Sequence, residues 1–474
     1  MSGTERAGHG GDGSRGEAAD PSGEPAPRVL AFYLPQFHAV PENDAWYGRG
    51  FTEWTVVARA APLFAGHRQP HLPGELGFYD LRVPETRERQ ARLARDHGVS
   101  GFLYYHYWFA GTRMLDRPFA EVLGSGRPNF PFALCWANDS WYRKWQGRTS
   151  DEMLVEQTYS EEDDRDHIRW LIEAFRDPRY IRVHGRPLLA VYRPHLLPAP
   201  KRTFDLWREE CSRAGVPDPW LVRFDTAADL GDPADQGFDA SADFVPHGID
   251  RVAAPAARPP DLDPSNFIFD YDTVAAAYRS RDEPPWVHYP CVVTDWDNTP
   301  RRPTGDALIL HGSTPDGYGA WLGHALRRQS ARHGGDGIVF VNAWNEWAEG
   351  AHLEPDQTHG RAYLDRTLAA VRAVGGSTPE RTGPDALTVS QSAGSAPTAI
   401  WDLYDDLYDR FVRLQALASG LVAHADRQLA AQRRELEAAL AQARQEAVAL
   451  AAENALLLDR LAQASTRAQG RAAP

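Results

Sequence analysis

The sequence predicts an α/β protein: a (β/α)8 barrel of the TIM type, followed by a C-terminal α-helical coiled coil. Three observations predict it. Between residues 28 and 375, eight short apolar or β-branched runs alternate with longer stretches of helical period, and runs apolar on both faces suit parallel strands covered by helices. The loop after the first run reads PQFHAVPEND, without the Gly-rich phosphate cradle that an open dinucleotide-binding sheet would want. Eight β-then-α units in order therefore point to a closed barrel. Beyond residue 400 a seven-residue apolar repeat takes over.

Residues 1–27 are Gly, Ser, Pro and charge, too poor in apolar side chains to offset the entropy of ordering, so they read as a disordered tail. The barrel spans 28–375. Its strands are expected at 28–34, 100–106, 130–136, 186–192, 219–225, 240–246, 289–295 and 337–343, with helices at 84–97, 116–124, 160–176, 203–214, 227–237, 272–281, 316–333 and 359–374. Residues 376–399, rich in Ser, Thr, Gly and Pro, form a linker. Residues 400–470 are helical. Val422, Leu429, Leu436, Ala443, Leu450 and Leu457 recur every seven residues, and Leu440, Ala447, Asn454 and Leu461 fall four after the later members. That seam fits a homodimeric coiled coil, with Asn454 favouring two strands in one register. A single amphipathic helix packing on the barrel or on a partner is the alternative, since Asp426 and Arg433 occupy upstream seam positions.

Bulk properties narrow the function. A net charge of -14 argues against a nucleic-acid partner. The three cysteines, Cys135, Cys211 and Cys291, form no CxxC pair, which excludes a zinc or disulfide framework; Cys135 and Cys291 read as core residues. No apolar run reaches the length of a membrane span, and the N-terminus has no signal-peptide core, so the expected location is cytoplasmic, at most peripheral to the inner face of the membrane. Tryptophan is in excess: fifteen, against about six at average usage. Several lie near expected strand ends in polar company, as a cleft for the flat faces of sugars requires.

Active sites of such barrels lie at the C-terminal ends of the strands. Strand one ends in Tyr33, Gln36 and His38; strand two in Tyr105, His106, Tyr107 and Trp108; strand three in Trp136, Asn138, Asp139 and Trp141. Strand seven ends in Asp295, Trp296, Asp297 and Asn298, and strand eight in Asn342, Trp344, Asn345, Glu346, Trp347 and Glu349. Polar groups beside aromatic rings recur in these tails and match the donors and acceptors that sugar hydroxyls need. NAWNEWAEG (342–350) places two carboxylates three residues apart. On a helical turn their Cβ atoms would stand about 5–6 Å apart, one carboxyl would be driven to hold its proton, and an acid beside a base is what glycosidic cleavage uses. Glu53, between aromatics in GFTEW (50–54), binds substrate or braces its loop. His352, Glu354 and Asp356 lack a metal-ligand spacing, so neither metal nor cofactor is expected.

AFYLPQFHAVPENDAWYGRGFTEW (31–54), HLPGELGFYDLR (71–82), GFLYYHYWFAG (101–111), FPFALCWANDSW (130–141) and FVNAWNEWAEGAHLEPD (340–356) together resemble the WbsX-type proteins, whose domain is similar to glycoside hydrolase family 99. The resemblance covers about residues 28–375. It implies the barrel and a catalytic pair in the motif Asn345-Glu346-Trp347-Ala348-Glu349-Gly350. Family 99 enzymes are retaining endo-α-mannosidases. By that match Glu346 would help deprotonate the substrate 2-hydroxyl, which attacks its own anomeric carbon, and Glu349 would protonate the leaving oxygen. Tyr33, Gln36, His38, Trp46, Glu53, Trp54, Tyr105, His106, Trp108, Trp136, Asn138, Asp139, Asp295, Asp297, Trp344, Asn345 and Trp347 are the candidate substrate-binding residues. The substrate would be an oligosaccharide or polysaccharide. Three functions stay open: a hydrolase or transglycosidase acting on a surface glycan or its precursor; a glycosyltransferase of O-antigen or surface-polysaccharide synthesis with a lipid-linked or nucleotide-sugar donor; and a non-catalytic glycan-binding scaffold.

Overall fold

A computed structural model of the chain describes residues 26–143, 152–227, 231–302 and 305–375. The chain divides into two compact units, Met1–Thr388 and Val389–Pro474, and all described residues belong to the first. The tail up to residue 25, the linker and the heptad segment lie outside the described residues.

Eight parallel strands form a nearly closed barrel: β1 Arg28–Tyr33, β2 Gly101–Phe109, β3 Phe132–Trp136, β4 Arg186–Val191, β5 Trp220–Phe224, β6 Ala240–Ala242, β7 as His288–Tyr289 and Cys291–Val293, and β8 Ile338–Asn342. Each pairs with its neighbour in sequence, and β1 pairs with β8 through Arg28↔Ile338. Pro290 explains the break in β7, because proline cannot donate to a ladder. The residues before it pair with β6 and those after it with β8, which brings the ring round to β8.

Helices follow most strands, with start signals written in the chain. α1 Pro41–Tyr47 and α2 Trp54–Val57 are short turns in the long insertion after β1 that sequence periodicity does not disclose. α3 Pro84–Asp96 and α4 Arg117–Ser125 both begin beside a proline, whose missing N–H costs nothing there. α5 Glu161–Phe175 is capped by Ser160, which accepts the N–H of Asp163, and carries four acids in its first turn. α6 Pro200–Ala214 ends at Gly215 in the left-handed conformation. α7 Tyr271–Ser280, α8 Pro315–His333 and α9 Ala362–Gly375 complete the shell. Of the helix expected over 227–237, the described residues 231–237 form only a 3-10 turn, Pro233–Gln236, between Gly231 and Gly237. The three cysteines are free and buried.

Alternation along the strands decides what faces the barrel axis. Phe32, Phe224, Phe244 and Phe340 converge inside the barrel, with Phe32 5.1 Å from Phe224 and 5.2 Å from Phe244 between ring centroids. This aromatic plug forms the floor of the cavity above it, with Phe244 reaching both. A separate three-stranded sheet joins Phe267–Asp270, Trp296–Asp297 and Leu308–His311. Its antiparallel pair, Trp296↔Leu310, holds the loop after β7 over the barrel mouth.

Candidate active site

A cavity of about 340 Å³ opens at the C-terminal ends of the strands. Its aromatic walls are Trp46, Tyr47, Tyr105, Tyr107, Trp141, Tyr142, Tyr192 and Trp296, and its charged lining is Asp139, Arg193, Arg301, Arg302, Glu346 and Glu349.

The two glutamates sit on a tight hairpin rather than on a helix. Asn345–Glu346 pairs antiparallel with Ala351–His352, and between them Trp347–Glu349 makes one 3-10 turn ending at Gly350, φ +69°. A Cβ on Gly350 would stand 3.1 Å from the backbone nitrogen of Asp297, so both conformation and space call for glycine. Three contacts hold the hairpin. The Asn345 amide accepts the Leu34 N–H at 2.7 Å and donates to the Leu34 carbonyl at 3.0 Å, tying the hairpin to the end of β1. Trp347 stacks on His352 with centroids 3.8 Å apart. Its indole N–H donates to Glu354 at 2.7 Å.

One guanidinium gathers three carboxylates. Arg301 Nη2 lies 2.6 Å from Glu346 and 2.5 Å from Glu53, and Nη1 lies 2.6 Å from Glu349. Glu53 is fully buried, Glu346 nearly so, and the Glu349 side chain keeps 18% of its surface exposed toward the cavity. Burial, with repulsion from Glu349 and Glu53, pushes the Glu346 carboxyl well above the usual range although Arg301 opposes it. Burial also raises Glu53, again against Arg301. Burial works against the charge of Arg301, yet the three acids push its pKa up. The cluster is thus a fixed cation facing three carboxylates, of which burial makes Glu346 and Glu53 the stronger proton acceptors.

The structure brings Gln36, Trp46, Tyr105, Asp139, Glu346 and Glu349 together on the cavity wall, with Glu53 behind Arg301. The remaining candidates are placed elsewhere. Strand alternation turns Tyr33, His106 and Trp108 outward under the helices: Tyr33 donates to Gln90, His106 bonds His167 at 2.9 Å and stacks on Trp170, and Trp108 donates to Asp163. Trp136 packs edge-on against His167. His38 is buried, and burial lowers its pKa to about 4. Trp54 packs among Phe37, Phe78 and Tyr79 and donates to the Tyr79 carbonyl. Trp344 is wholly buried against Phe102, while Trp347 and Asn345 brace the hairpin from behind. Asn138 clamps the backbone of Arg193 on both sides. Asp295, bonded to Arg68, and Asp297, bonded to His67 at 2.6 Å and Gln69 at 2.7 Å, line a smaller cavity of about 150 Å³ behind the hairpin.

Sequence reasoning missed Tyr192, Arg193, His247 and, most importantly, Arg301, and it named Tyr107 in the strand-two tail without making it a candidate binding residue. For Tyr107 the signal was the alternation of β2: once Tyr105 faces in, Tyr107 must as well. For Arg301 it was the pair Arg301-Arg302 shortly after a strand tail already rich in Asp and Trp. Among the described residues no group of three or more His, Cys, Asp and Glu side chains is arranged to hold a metal. None of the described helices is long and apolar enough to cross a membrane.

A parallel barrel whose mouth holds paired acids in an aromatic cavity is an architecture met among the carbohydrate-active enzymes. Within that class the chain belongs to the WbsX glycosyltransferase family, whose model matches residues 29–367. It is 42% identical over 389 residues to the uncharacterized protein WxcX of Xanthomonas campestris pv. campestris strain B100, covering 81% of this chain and 54% of that one. The WxcX of a second strain of that pathovar is 41% identical with the same coverage. The chain therefore spans about half the length of these relatives. Among solved structures, an endo-α-mannosidase of glycoside hydrolase family 99 from Bacteroides thetaiotaomicron matches with a TM-score of 0.47 and 16% identity, over 73% of this chain and 97% of that chain. A glycoside hydrolase-like protein matches with a TM-score of 0.49 and 14% identity, over 75% and 97%.

Proposed function

We propose that this chain breaks and remakes glycosidic bonds as a hydrolase or transglycosidase, using Glu346 and Glu349 as its working carboxylates. The observation that carries the reading is the meeting of both acids with Arg301 inside an aromatic-walled cavity at the barrel mouth. Glu349, on the open side, is positioned to exchange a proton with a glycosidic oxygen. Glu346, deeper and held above the usual carboxylate range by burial, serves as the partner that accepts a proton from a ring hydroxyl. Glu53 and Arg301 position the pair and keep its charge balanced. Tyr107 and Trp141 offer ring faces and edges for sugar C–H surfaces. Proton transfer by a positioned group contributes about 10²–10⁴-fold to such reactions.

Glu349→Gln tests this directly. With an α-linked oligosaccharide library, release of new reducing ends should fall by about 10²–10⁴-fold while binding persists. Cleavage that survives the substitution overturns the assignment. The family's transferase name supports a second reading, in which the same cavity moves a glycosyl group from an activated donor. Turnover that appears only when a nucleotide-sugar or lipid-linked donor is added selects that reading. For residues 400–470 we propose dimerisation through the heptad seam.

A further inference from the structure

The wall of the cavity formed by the ends of β4 and β6 has a character that glycosidic chemistry does not require. Arg193 follows Tyr192 at the end of β4, and its backbone is gripped on both sides by Asn138: the Asn138 amide donates to the Arg193 carbonyl at 2.9 Å and accepts the Arg193 N–H at 2.8 Å. Asn138 is completely buried, so the clamp is rigid. The guanidinium lies over the ring of Tyr192, 4.4 Å from its centroid. That ring is itself fixed, since Tyr192 Oη bonds His247 Nε2 at 2.8 Å and the Tyr192 carbonyl accepts the Thr226 hydroxyl at 2.9 Å. Backbone and ring thus aim a planar fork into the cavity, and among the described residues no carboxylate pairs with it. Asp139 lies on the same wall. Arg302 also lines the cavity, and among the described residues its guanidinium donates to the Asp306 carbonyl, at 3.0 Å. Arg301, by contrast, already serves three carboxylates.

His247 records the field at this wall. Burial, then Arg193, Arg251 and His195, depress its pKa to about 3, so it stays neutral and leaves the positive charge to the arginines. A preorganised guanidinium that no described carboxylate pairs with is suited to a bidentate oxyanion, and a neutral sugar hydroxyl cannot supply that match.

We propose that Arg193 and Arg302 form an oxyanion subsite, which takes a carboxylate or phosphate group carried by the saccharide next to the bond acted on at Glu346 and Glu349. The substrate is then an acidic glycan or a glycosyl phosphate rather than a neutral oligosaccharide. The inference rests on the reading that this cavity binds a saccharide, and it adds the charge of that saccharide.

The test is equilibrium calorimetry on the full chain with three probes: α-linked digalacturonate, its neutral counterpart galactobiose, and UDP-glucose. At least one anionic probe should bind 10-fold or more tighter than galactobiose, about the worth of one hydrogen bond to a charged group, and salt should weaken that preference. Digalacturonate in the lead identifies an acidic glycan; UDP-glucose in the lead identifies a glycosyl phosphate. The double variant Arg193→Gln/Arg302→Gln should lose the preference of the anionic probe over galactobiose. If it fails to fold, Arg193→Lys, which keeps the charge but not the fork, should lose part of the preference. Equal affinities for all three probes, no binding of any, or a preference untouched by the variants overturns the subsite. Because binding is read without turnover, failure here leaves the Glu349 experiment standing, and failure there leaves this one standing.

Discussion

Replacing Arg301 by Gln removes the cation that, among the described residues, faces Glu53, Glu346 and Glu349 at 2.5–2.6 Å. With charge centres about 4 Å apart and an effective dielectric near 20, each pair attracts by about 4 kcal/mol. Repulsion among the three acids and the desolvation of all four groups offset most of that gross attraction. Truncating one partner of a buried pair costs about 3–5 kcal/mol net, and here the loss depends on pH. Without Arg301 the opposing pull on Glu346 and Glu53 disappears, so their folded-state pKa values rise further from an already raised position. An acid whose folded pKa lies above its unfolded value contributes stability below the unfolded pKa and loses it as pH rises through the folded pKa. Arg301→Gln should therefore be closer to wild type near pH 5 than near pH 8, where it should be about 3–5 kcal/mol less stable. Urea unfolding followed by tryptophan fluorescence at both pH values reads the difference. A penalty equal at pH 5 and pH 8, or none at either, refutes the claim that this cluster is an ion triad around one guanidinium.

Glu354 offers an independent pH signal. Burial raises it to about 7, even though Trp347, Gln90 and Tyr79 donate to it. Native Glu354 thus holds its proton across pH 4.5–7 while the unfolded chain releases it, and stability falls as pH rises through that window, by at most about 3.4 kcal/mol at 1.36 kcal/mol per unit. Asp295, raised to about 6 by burial, adds a loss of the same sign. Buried His71 and His352, lowered to about 3 and 4, act oppositely by destabilising the fold as pH falls below about 6.5. Glu354→Gln should flatten the melting temperature between pH 5 and 7 relative to wild type, and an unchanged slope would remove Glu354 from the account. For the heptad segment, deleting residues 400–474 should convert a sedimenting dimer into a monomer. Identical sedimentation of the two forms rejects the coiled-coil dimer.

How much was legible follows from what each pattern encodes. Strand positions could be read because parallel strands are apolar on both faces: Arg28–Tyr33, Phe132–Trp136 and Ile338–Asn342 stand within two residues of expectation at their starts. The hairpin bearing Glu346 and Glu349 could be located but not shaped. A three-residue spacing suggests a helical turn, yet Gly350 and the approach of Asp297 impose a 3-10 turn between two short strands. The errors among the candidates have a common cause. A tail read as a string of polar and aromatic letters ignores alternation, so it offers His106 and Trp108 beside Tyr105 although the inward face belongs to Tyr105 and Tyr107. Asn138 and Asn345 were found for their polarity, but each spends it on backbone, one on Arg193 and the other on Leu34.

Arg301 was beyond reach for a different reason. Its position depends on the antiparallel pair Trp296–Asp297 and Leu308–His311, two short strands with no periodic signal, and on Asn298, whose side chain accepts the Leu308 N–H at 2.8 Å. That loop brings a charge from after the seventh strand onto acids from after the first and eighth. Long-range convergence of this kind leaves no local pattern, but charge balance can anticipate it. Three carboxylates cannot be buried in one cavity without a cation, and the cation had to come from a strand tail able to reach the barrel mouth. Of the tails read in the sequence, the one after strand seven runs straight into Arg301-Arg302, so electroneutrality of the site is a usable search rule where sequence spacing is not.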